Sequence, residues 1–341
     1  MKSKFILFLI FTLIAGLGFI IKGTDYFIIP KGWPKPVYNF SQNKFNEKKI
    51  EIGRRLFYDP RLSSDSTISC ASCHSPYNAF AHTDHALSHG IHDSIGKRNA
   101  PALMNLAWQP SFMWDGAVHQ LDAQALAPIH HPGEMDESIG HVTEKIHQSK
   151  TYQKLFFDAY GDSAITGERV LKTLSQFMLT LVSAESKYDS VMRKEKKFTA
   201  QEVKGFLIFK KHCSTCHAPP LFTNYAFENN GILPDPKLKD VGRMNITHNI
   251  KDSLSFKVPT LRNIAFTAPY MHDGRFQSLS EVIQHYTTNK KNNLISKKLS
   301  SPIVLNANEK VDLIAFLLTL SDKKFLFNTK HNFPRESLNQ D

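Results

Sequence analysis

The stretch Ile68-Ser69-Cys70-Ala71-Ser72-Cys73-His74 contains a Cys-x-x-Cys-His pentapeptide, and the chain repeats this pattern at Cys213-Ser214-Thr215-Cys216-His217. In such a pentapeptide the two thiols form thioethers with the vinyl groups of a haem. The adjacent His is then placed to ligate the iron from the proximal side. The sequence therefore predicts two covalently bound haem c groups.

The cysteine count supports this interpretation, because the two motifs use all four cysteines of the 341-residue chain. The alternatives are a structural zinc site made from both Cys pairs, or a redox-active disulfide in each pair. Neither alternative requires a His directly after the second Cys. Cys70 and Cys213 lie about one domain length apart on the usual scale of roughly 100 to 200 residues per domain. The spacing predicts one haem per domain.

The N-terminus carries an uncharged, mainly apolar run at residues 5–21, with Lys2 and Lys4 before it and Lys22 after it. Its length is at the short end of the roughly 17 to 25 residues that cross a bilayer, and exceeds the apolar core of a typical signal peptide. We expect residues 1–22 to be an export signal or an uncleaved anchor, and we favour the anchor. Both interpretations predict export of the remaining chain to the periplasm.

A linker is predicted at residues 23–45, which contain several Gly and Pro residues and show no helical period. The haem-binding body then begins near Asn46. This residue is a suitable cap for a helix that carries Ile50, Leu56 and Phe57 on one side.

Three further helices are predicted from apolar residues at helical spacing: Thr166 to Tyr188, a helix opened by the capping box Thr199-x-x-Glu202, and Asn308 to Leu320. Residues 75–112 and 218–275 are rich in Gly, Pro, Asn and His, which is typical of long loops around a cofactor. We therefore predict a mainly α fold of two cytochrome c-like haem domains with long loops, preceded by an N-terminal hydrophobic helix.

The domain limits follow from these elements. We place an N-terminal haem domain at residues 46–190 and a C-terminal haem domain at residues 191–322. Residues 323–341 form a tail to which the sequence assigns no role.

The charge balance indicates the kind of partner. Lysine and arginine exceed aspartate and glutamate by 11, and haem propionates would subtract about two charges per haem. The basic residues form no stripe interleaved with aromatic residues, which argues against nucleic-acid binding. An acidic redox partner or an anionic membrane surface is the simpler inference.

Six motifs accompany the two pentapeptides: Gly53-Arg54-Arg55-Leu56-Phe57-Tyr58-Asp59, Arg98-Asn99-Ala100-Pro101, Trp114-Asp115-Gly116, Gly133-Glu134-Met135, Pro259-Thr260-Leu261-Arg262-Asn263 and Pro269-Tyr270-Met271-His272-Asp273-Gly274. With them the chain resembles the bacterial di-haem cytochrome c peroxidases and their relative MauG, which matures a tryptophan-derived quinone. The resemblance covers roughly residues 46–322.

The resemblance implies a role for each matching residue. His74 would be the proximal ligand of the peroxidatic haem, His217 that of the electron-transferring haem, and Trp114 the aromatic relay between them. Gln124 and Glu134 match the distal polar pair. Heterolysis of peroxide needs a group that takes a proton from one oxygen and returns it to the leaving oxygen, which a carboxylate can do. Without the resemblance, Trp114 would be interpreted as a core residue and Glu134 as a solvated loop acid.

The resemblance also implies a calcium ion between the domains, held by Asn99, Thr267 and Pro269, the last two through backbone carbonyls. An amide, carbonyls and water form a suitable oxygen shell for this hard cation. The alternative is that Asn99 only holds a turn next to Pro101.

Two positions depart from the peroxidases that need reductive activation. Those enzymes carry a distal His in the loop before Arg-Asn-x-Pro, and here the matching position is Ile91. This favours a haem that is open on its distal side, with His89 and His92 as alternative ligands. The second departure is Tyr286, which stands where the Met ligand of the electron-transfer haem is expected and matches MauG. Met271 and His285 are the rivals of Tyr286.

Three functions are compatible with these residues. The first is a peroxidase that reduces hydrogen peroxide with electrons from a small cytochrome or quinol-linked donor. The second is a MauG-like oxidase that uses peroxide to modify a partner protein, and the third is a plain di-haem electron-transfer cytochrome. The distal acid argues against the third, because an electron carrier has no use for one. The peroxidase is our first expectation.

Overall fold

The computed structural model describes residues 27–288, 295–301 and 303–335. The apolar run at residues 5–21, predicted as a hydrophobic helix, lies outside this part of the chain. Among the described residues, no helix combines the length and apolar character needed to cross a membrane.

The described part is mainly helical, with one two-stranded antiparallel sheet that pairs Phe227 with Lys257 and Glu228 with Phe256. The α-helices are α1 (Glu47–Tyr58), α2 (Cys70–Cys73), α3 (Leu121–Gln124), α4 (Leu126–His130), α5 (Ile139–Gln148), α6 (Lys150–Tyr160), α7 (Gly167–Leu179), α8 (Lys187–Met192), α9 (Ala200–His212), α10 (Met244–Thr247), α11 (Leu279–Thr287), α12 (Ala307–Leu318) and α13 (Lys323–Leu326). The strands are β1 (Phe227–Glu228) and β2 (Phe256–Lys257). Short 3-10 turns lie at Pro60–Leu62, Pro76–Asn78, Ile91–Asp93, Leu106–Trp108, Ile250–Asp252, Ile264–Phe266, Lys297–Leu299 and Thr329–His331.

The first core forms around α1 and α7. As predicted, Asn46 caps α1, and its side chain accepts hydrogen bonds from the backbone N–H groups of Lys48 and Lys49. The two helices approach closely at Gly53, where a Cβ atom would lie 1.8 Å from the carbonyl oxygen of Thr173. The chain leaves α1 and soon reaches the first haem motif, so this packing fixes where that motif begins.

The second core forms around α9 and α12, which also approach each other closely at a glycine. The predicted capping box of Thr199 and Glu202 opens α9. At Gly205 a Cβ atom would lie 1.9 Å from the carbonyl oxygen of Asp312 in α12. Because α9 ends at His212, directly before Cys213, it positions the second haem motif as α1 positions the first.

The helix predicted from Thr166 to Tyr188 is shorter in the structure, since α7 ends at Leu179 and α8 begins only at Lys187. The chain between them is held by Asn105, which donates its backbone N–H to the carbonyl of Leu181 over 2.8 Å. The Asn105 side chain also donates to the carbonyl of Ser183 and accepts from its backbone N–H. These three hydrogen bonds replace the ones that a continuous helix would make.

Residues 27–45 differ from a free linker. Phe27, Phe40 and Phe45 pack on the first core, and the indole N–H of Trp108 donates to the carbonyl of Pro34 over 2.8 Å. The aromatic content of this segment gives it apolar surface to bury, which the Gly and Pro pattern did not indicate.

The described part of the tail also packs on the first core. Phe325 and Leu326 of α13 belong to that core, although they follow the second haem domain in sequence. The hydroxyl of Tyr58 donates to the carbonyl of His331 over 2.6 Å. The domain limits themselves stay a prediction.

An internal repeat relates the segments 98–128 and 256–286, which align without a gap. Identical pairs include Pro101 with Pro259, Asn105 with Asn263, Met113 with Met271, Asp115 with Asp273 and Gly116 with Gly274. The backbone repeats as well, because β-bridges join Phe112 to Val118 and Tyr270 to Phe276, and both methionines have positive φ values.

The two repeats face each other. The backbone N–H of Asn99 donates to the carbonyl of His272 over 2.7 Å, and the backbone N–H of Lys257 donates to the carbonyl of Trp114 over 2.7 Å. Asn99 aligns with Lys257 and Trp114 with His272, so the same bond is made twice in opposite senses. Such reciprocity is the signature of a two-fold relation. The halves are therefore related by a local pseudo-two-fold axis.

A candidate site for two haem groups

One continuous cavity of about 1180 Å³ lies between the two halves of the molecule. Both Cys-x-x-Cys-His motifs line it, and so do most of the other residues that the sequence singled out as ligands or catalytic groups, although His92 and His285 do not. Those that line it include Asn99, Trp114, Gln124, Glu134, Thr267, Pro269, Met271 and Tyr286. Its volume exceeds the roughly 300 to 1,000 Å³ of common small-molecule sites.

The imidazole of His74 is oriented by a backbone carbonyl. Its Nδ1 lies 2.7 Å from the carbonyl oxygen of Phe80. Because a carbonyl can only accept, Nδ1 carries the proton and Nε2 keeps its lone pair. Burial lowers the pKa of His74 to about 4, so the ring is neutral at physiological pH. His74 thus has the tautomer and charge state of an iron ligand.

His217 has the same arrangement in the second half. Its Nδ1 lies 3.1 Å from the carbonyl oxygen of Pro259 and 3.3 Å from that of Phe222. Burial again lowers the pKa of the imidazole to about 4. Phe80 and Phe222 both have positive φ values, at 58° and 55°, so a strained backbone turn presents a carbonyl to each His.

All four cysteines are free thiols. Burial raises the pKa of Cys70 and of Cys213 to about 12, which keeps these two thiols neutral. Within the described residues, no three side chains of His, Cys, Asp or Glu gather into a metal cluster, so the two pairs do not form a joint zinc site. Two free thiols and a preoriented neutral imidazole at each end of a shared cavity fit a covalently bound haem at each motif.

Trp114 is fixed from both halves of the molecule. Its indole N–H donates to the carbonyl of Asn99 over 2.8 Å, while its backbone carbonyl accepts from Lys257 over 2.7 Å. The next residue, Asp115, accepts from Arg98 over 2.6 Å, and Arg98 also forms a forked pair with Asp240 of the second half. The ring is held on the cavity wall, in the interface that joins the two motifs.

Glu134 and Gln124 reach the cavity from separate elements. Glu134 follows a turn in which its backbone N–H donates to the carbonyl of His131 over 2.9 Å, and Gln124 ends α3 with its amide 3.9 Å from the sulfur of Met113. Burial raises the pKa of Glu134, and nearby His131 opposes the shift. A half-buried carboxyl with a raised pKa is suited to exchanging protons.

The loop at residues 82–92 packs directly on the Glu134 segment. Ile91 donates its backbone N–H to the carbonyl of Glu134 over 2.9 Å, and its side chain is buried at 2% exposure. His89 lines the cavity and stacks on His85, with ring centroids 4.3 Å apart. His92 is largely exposed beside Asp65. An open distal face stays a prediction. Of the two alternative ligands in this loop, His89 lines the cavity and His92 does not.

Two candidate axial ligands of the second haem line the cavity. Tyr286 on α11 and Met271 both line the cavity, and the Asn230 amide donates to the sulfur of Met271 over 3.4 Å. Burial raises the pKa of Tyr286 to about 12, and a hydrogen bond with Asn230 opposes the shift. His285 instead lies 3.0 Å from the carbonyl of Asn230. The choice between Tyr286 and Met271 stays a prediction.

The residues of the predicted calcium site belong to the cavity lining. Asn99, Thr267 and Pro269 all line the cavity, and the side-chain N–H of Asn99 donates to the carbonyl of Ala86 over 3.1 Å. This bond orients the amide, whose oxygen is the atom that a calcium ion would require. Calcium binding stays a prediction.

Several residues of the site were not found from the sequence. They are Phe80 and Phe222, which hold the histidines, the Arg98 and Asp240 pair, and Lys257 on the cavity wall. The internal repeat was the available signal, because it aligns Lys257 with Asn99.

Comparison with known proteins agrees with this geometry. Residues 47–197 match the family model described as di-haem cytochrome c peroxidase. The methylamine utilization protein MauG of Methylorubrum extorquens is 33% identical over 299 residues, which is 84% of this chain and 82% of that protein. Cytochrome c551 peroxidase of Nitrosomonas europaea is 34% identical over 282 residues, covering 81% and 80% of the two chains.

A solved structure shows the same fold. The crystal structure of a MauG-like protein associated with microbial copper homeostasis matches with a TM-score of 0.84 and 30% identity, over 90% of this chain and 98% of that one. The resemblance drawn from the motifs and the mainly helical fold are thereby confirmed. The chain belongs to the di-haem cytochrome c peroxidase family.

Proposed function

We propose that this protein reduces hydrogen peroxide to water with electrons from a small redox donor. The electrons would enter at the Cys213 to His217 motif and pass Trp114 to reach the Cys70 to His74 motif. The observation that carries the proposal is the single cavity that both motifs, Trp114 and the acid Glu134 share. The family is a di-haem one, and each motif has the residues to hold one haem c.

When bound, the haems supply iron that binds the peroxide and accepts and stores electrons. The chain supplies proton transfer and position. Ionised Glu134 would take a proton from one oxygen of the peroxide and return it to the other oxygen, which would leave as water. The Gln124 amide orients the substrate beside it. Two electrons and two further protons complete the conversion of one peroxide to two waters.

His74 contributes through its fixed tautomer. The hydrogen bond from Nδ1 to the carbonyl of Phe80 holds the ring and makes Nε2 a stronger donor. His217 has the equivalent bonds to Pro259 and Phe222. Both histidines are therefore oriented by backbone carbonyls.

The test is peroxide-dependent oxidation of a reduced small cytochrome by the holoprotein, with two cytochromes oxidised per peroxide. Trp114→Phe should bind peroxide as the parent does but deliver electrons more slowly. Trp108→Phe is the matched control, because Trp108 is buried beside Pro34 and does not line the cavity. A parent protein that leaves the reduced cytochrome untouched, or equal rates for all three proteins, would refute the proposal.

MauG-like oxidation of a partner protein is the second candidate. It is favoured by Tyr286 on the cavity wall beside the second motif and by Ile91 at the position of the distal His. A MauG-like enzyme would use peroxide without a reduced cytochrome. Mass spectrometry of proteins encoded near this one, after incubation with holoprotein and peroxide, would detect an oxidised product.

We also infer that the protein acts in the periplasm, as the apolar run at residues 5–21 predicts. Anchoring through that run stays a prediction. Fractionation of cells that express the full chain would locate it in the soluble periplasmic or the membrane fraction.

A further inference from the structure

Lys257 is half-buried, and its ammonium group forms no ion pair with a carboxylate of the described residues. Its Nζ donates to the carbonyl of Ser111 over 2.6 Å and to the side-chain oxygen of Gln109 over 3.2 Å. Both partners are neutral. Asp115, a carboxylate that acts on it electrostatically, is hydrogen-bonded to Arg98 instead. Lys257 is therefore a positive charge that neutral oxygens hold in one position.

Lys257 lies on the wall of the cavity, and its backbone is hydrogen-bonded to Trp114. The backbone N–H of Lys257 donates to the carbonyl of Trp114, and its side chain reaches back to Ser111. Lys257 thus binds the segment that carries Trp114 through two hydrogen bonds, one from its backbone and one from its side chain. Burial lowers the pKa of the Lys257 ammonium to about 8. The residue is half-buried, so its charge is less screened than in open water.

The internal repeat shows that this arrangement belongs to one half alone. Lys257 aligns with Asn99, while Gln109 and Ser111 align with Thr267 and Pro269. A neutral amide thus stands in one half at the place where the other half has an ammonium. At this aligned position the pseudo-symmetry of the cavity is broken by a charge.

We propose that Lys257 is a positioning residue for Trp114 and a built-in positive charge that raises the reduction potential of a haem bound in the cavity. A fixed cation stabilises the reduced state of a haem, which carries one more negative charge than the oxidised state. The role in electron delivery rests on the proposed function through Trp114. The effect on potential requires only that haem is bound.

The experiment is a spectroelectrochemical titration of both haems in the holoprotein and in Lys257→Met. Removal of the charge should shift the reduction equilibrium of at least one haem about tenfold towards the oxidised form, or about 59 mV for a one-electron couple. Lys257→Arg keeps the charge and should restore the parent potentials. Lys239→Met is the matched control, since Lys239 also lines the cavity but is exposed. In Lys239→Met the reduction equilibrium of each haem should change less than about threefold from that of the parent.

The positioning role has its own readout. Hydrogen exchange of the peptide that spans residues 109–116 should be faster in Lys257→Met than in the parent and in Lys239→Met. If Lys257→Met does not retain haem, Lys257→Gln removes the charge while keeping a donor, and the same potential shift is expected. Unchanged potentials in the neutral variants, or equal shifts in Lys257→Met and Lys239→Met, would overturn the proposal.

The two proposals fail separately. A parent protein that does not turn over peroxide refutes the proposed function, yet its haem potentials still report on Lys257. Conversely, if the parent reduces peroxide but the haem potentials are the same in the parent and in the neutral Lys257 variants, this inference alone is refuted.

Discussion

At the scale of single residues, the site depends on how burial sets the charge of each group. Burial keeps His74 and His217 neutral, with pKa values of about 4, and raises the pKa of Glu134. The same physical cause therefore acts on the two predicted iron ligands and on the predicted proton-transfer group. Hydrogen bonds to backbone carbonyls add direction to the two imidazoles.

Replacement of Glu134 should reveal its protonation in the pH profile. Peroxide capture requires the carboxylate, so activity should be full above the pKa of Glu134 and fall as pH drops through it. Because burial raises that pKa, the fall should occur at a higher pH than an exposed Glu would give. We expect Glu134→Gln to lose about a hundred- to ten-thousand-fold in rate and to lose this acidic limb.

Steady-state kinetics between pH 4 and pH 8 on the parent and Glu134→Gln would measure this. Glu137→Gln is a control in the same segment, because Glu137 is paired with Lys145 and does not line the cavity. A Glu134→Gln protein with the parent rate would remove Glu134 from the mechanism.

The axial ligand of the second haem is a further question at this scale. A phenolate is a harder, anionic donor than a thioether, so Tyr286 as ligand would stabilise ferric iron and lower the potential, whereas Met271 would raise it. We expect Tyr286→Phe to change the ferric low-spin spectrum of one haem and to raise its potential. Electron paramagnetic resonance with a redox titration would measure both. Loss of the low-spin signal in Met271→Leu, with an unchanged signal in Tyr286→Phe, would identify Met271 as the axial ligand.

At the scale of elements, close helix pairs position the haem motifs. In both halves a glycine lets the helix before the motif touch the backbone of a later helix, at Gly53 against Thr173 and at Gly205 against Asp312. Neither pair of neighbours is close in sequence. The start of each haem motif is therefore set by tertiary packing as well as by its own residues.

Gly53→Ala should destabilise the protein by about 1 to 3 kcal/mol, because the new methyl group forces α1 and α7 apart. Gly140→Ala is the matched control: Gly140 is also helical, and a Cβ atom there would meet nothing closer than the Ser138 hydroxyl at 3.9 Å. It should be neutral or stabilise by up to about 1 kcal/mol. Urea unfolding of the holoproteins would compare them. Equal midpoints would show that α1 can shift without cost.

At the scale of the whole molecule, two haem motifs share one cavity across a pseudo-two-fold interface. Reciprocal hydrogen bonds from Asn99 and Lys257 join the halves, and Arg98 links Asp115 to Asp240. The tail returns to the first core through Phe325. Each half is thereby held in a fixed relation to the other, which the proposed transfer of electrons between the two motifs would need.

Haem content tests the assignment of one cofactor to each motif. We expect the holoprotein to carry two covalently bound haems and the double variant Cys70→Ala, Cys73→Ala to carry one. Mass spectrometry after expression with haem-maturation machinery would show the loss of one haem mass. The variant Cys213→Ala, Cys216→Ala is the control that should lose the other. An unmodified parent polypeptide would contradict the assignment.

The sequence by itself determined the attachment chemistry, the helix starts and the family. A Cys-x-x-Cys-His pentapeptide holds all its reactive groups within five residues, and a capping box such as Thr199 with Glu202 spans a single turn, so neither needs the fold to be recognised. The residues that orient these motifs lie outside them, so the motifs themselves do not identify those residues.

Only the tertiary structure decided which distant groups act together. Phe80 and Pro259 orient the histidines, Trp114 is held by Asn99 and Lys257, and the tail joins the first core. The Ser111 and Lys257 contact joins residues 146 positions apart, and no local pattern specifies it. Such contacts depend on how two halves pack across a shared cavity. Packing is a property of the whole chain, whereas thioether attachment is a property of five residues.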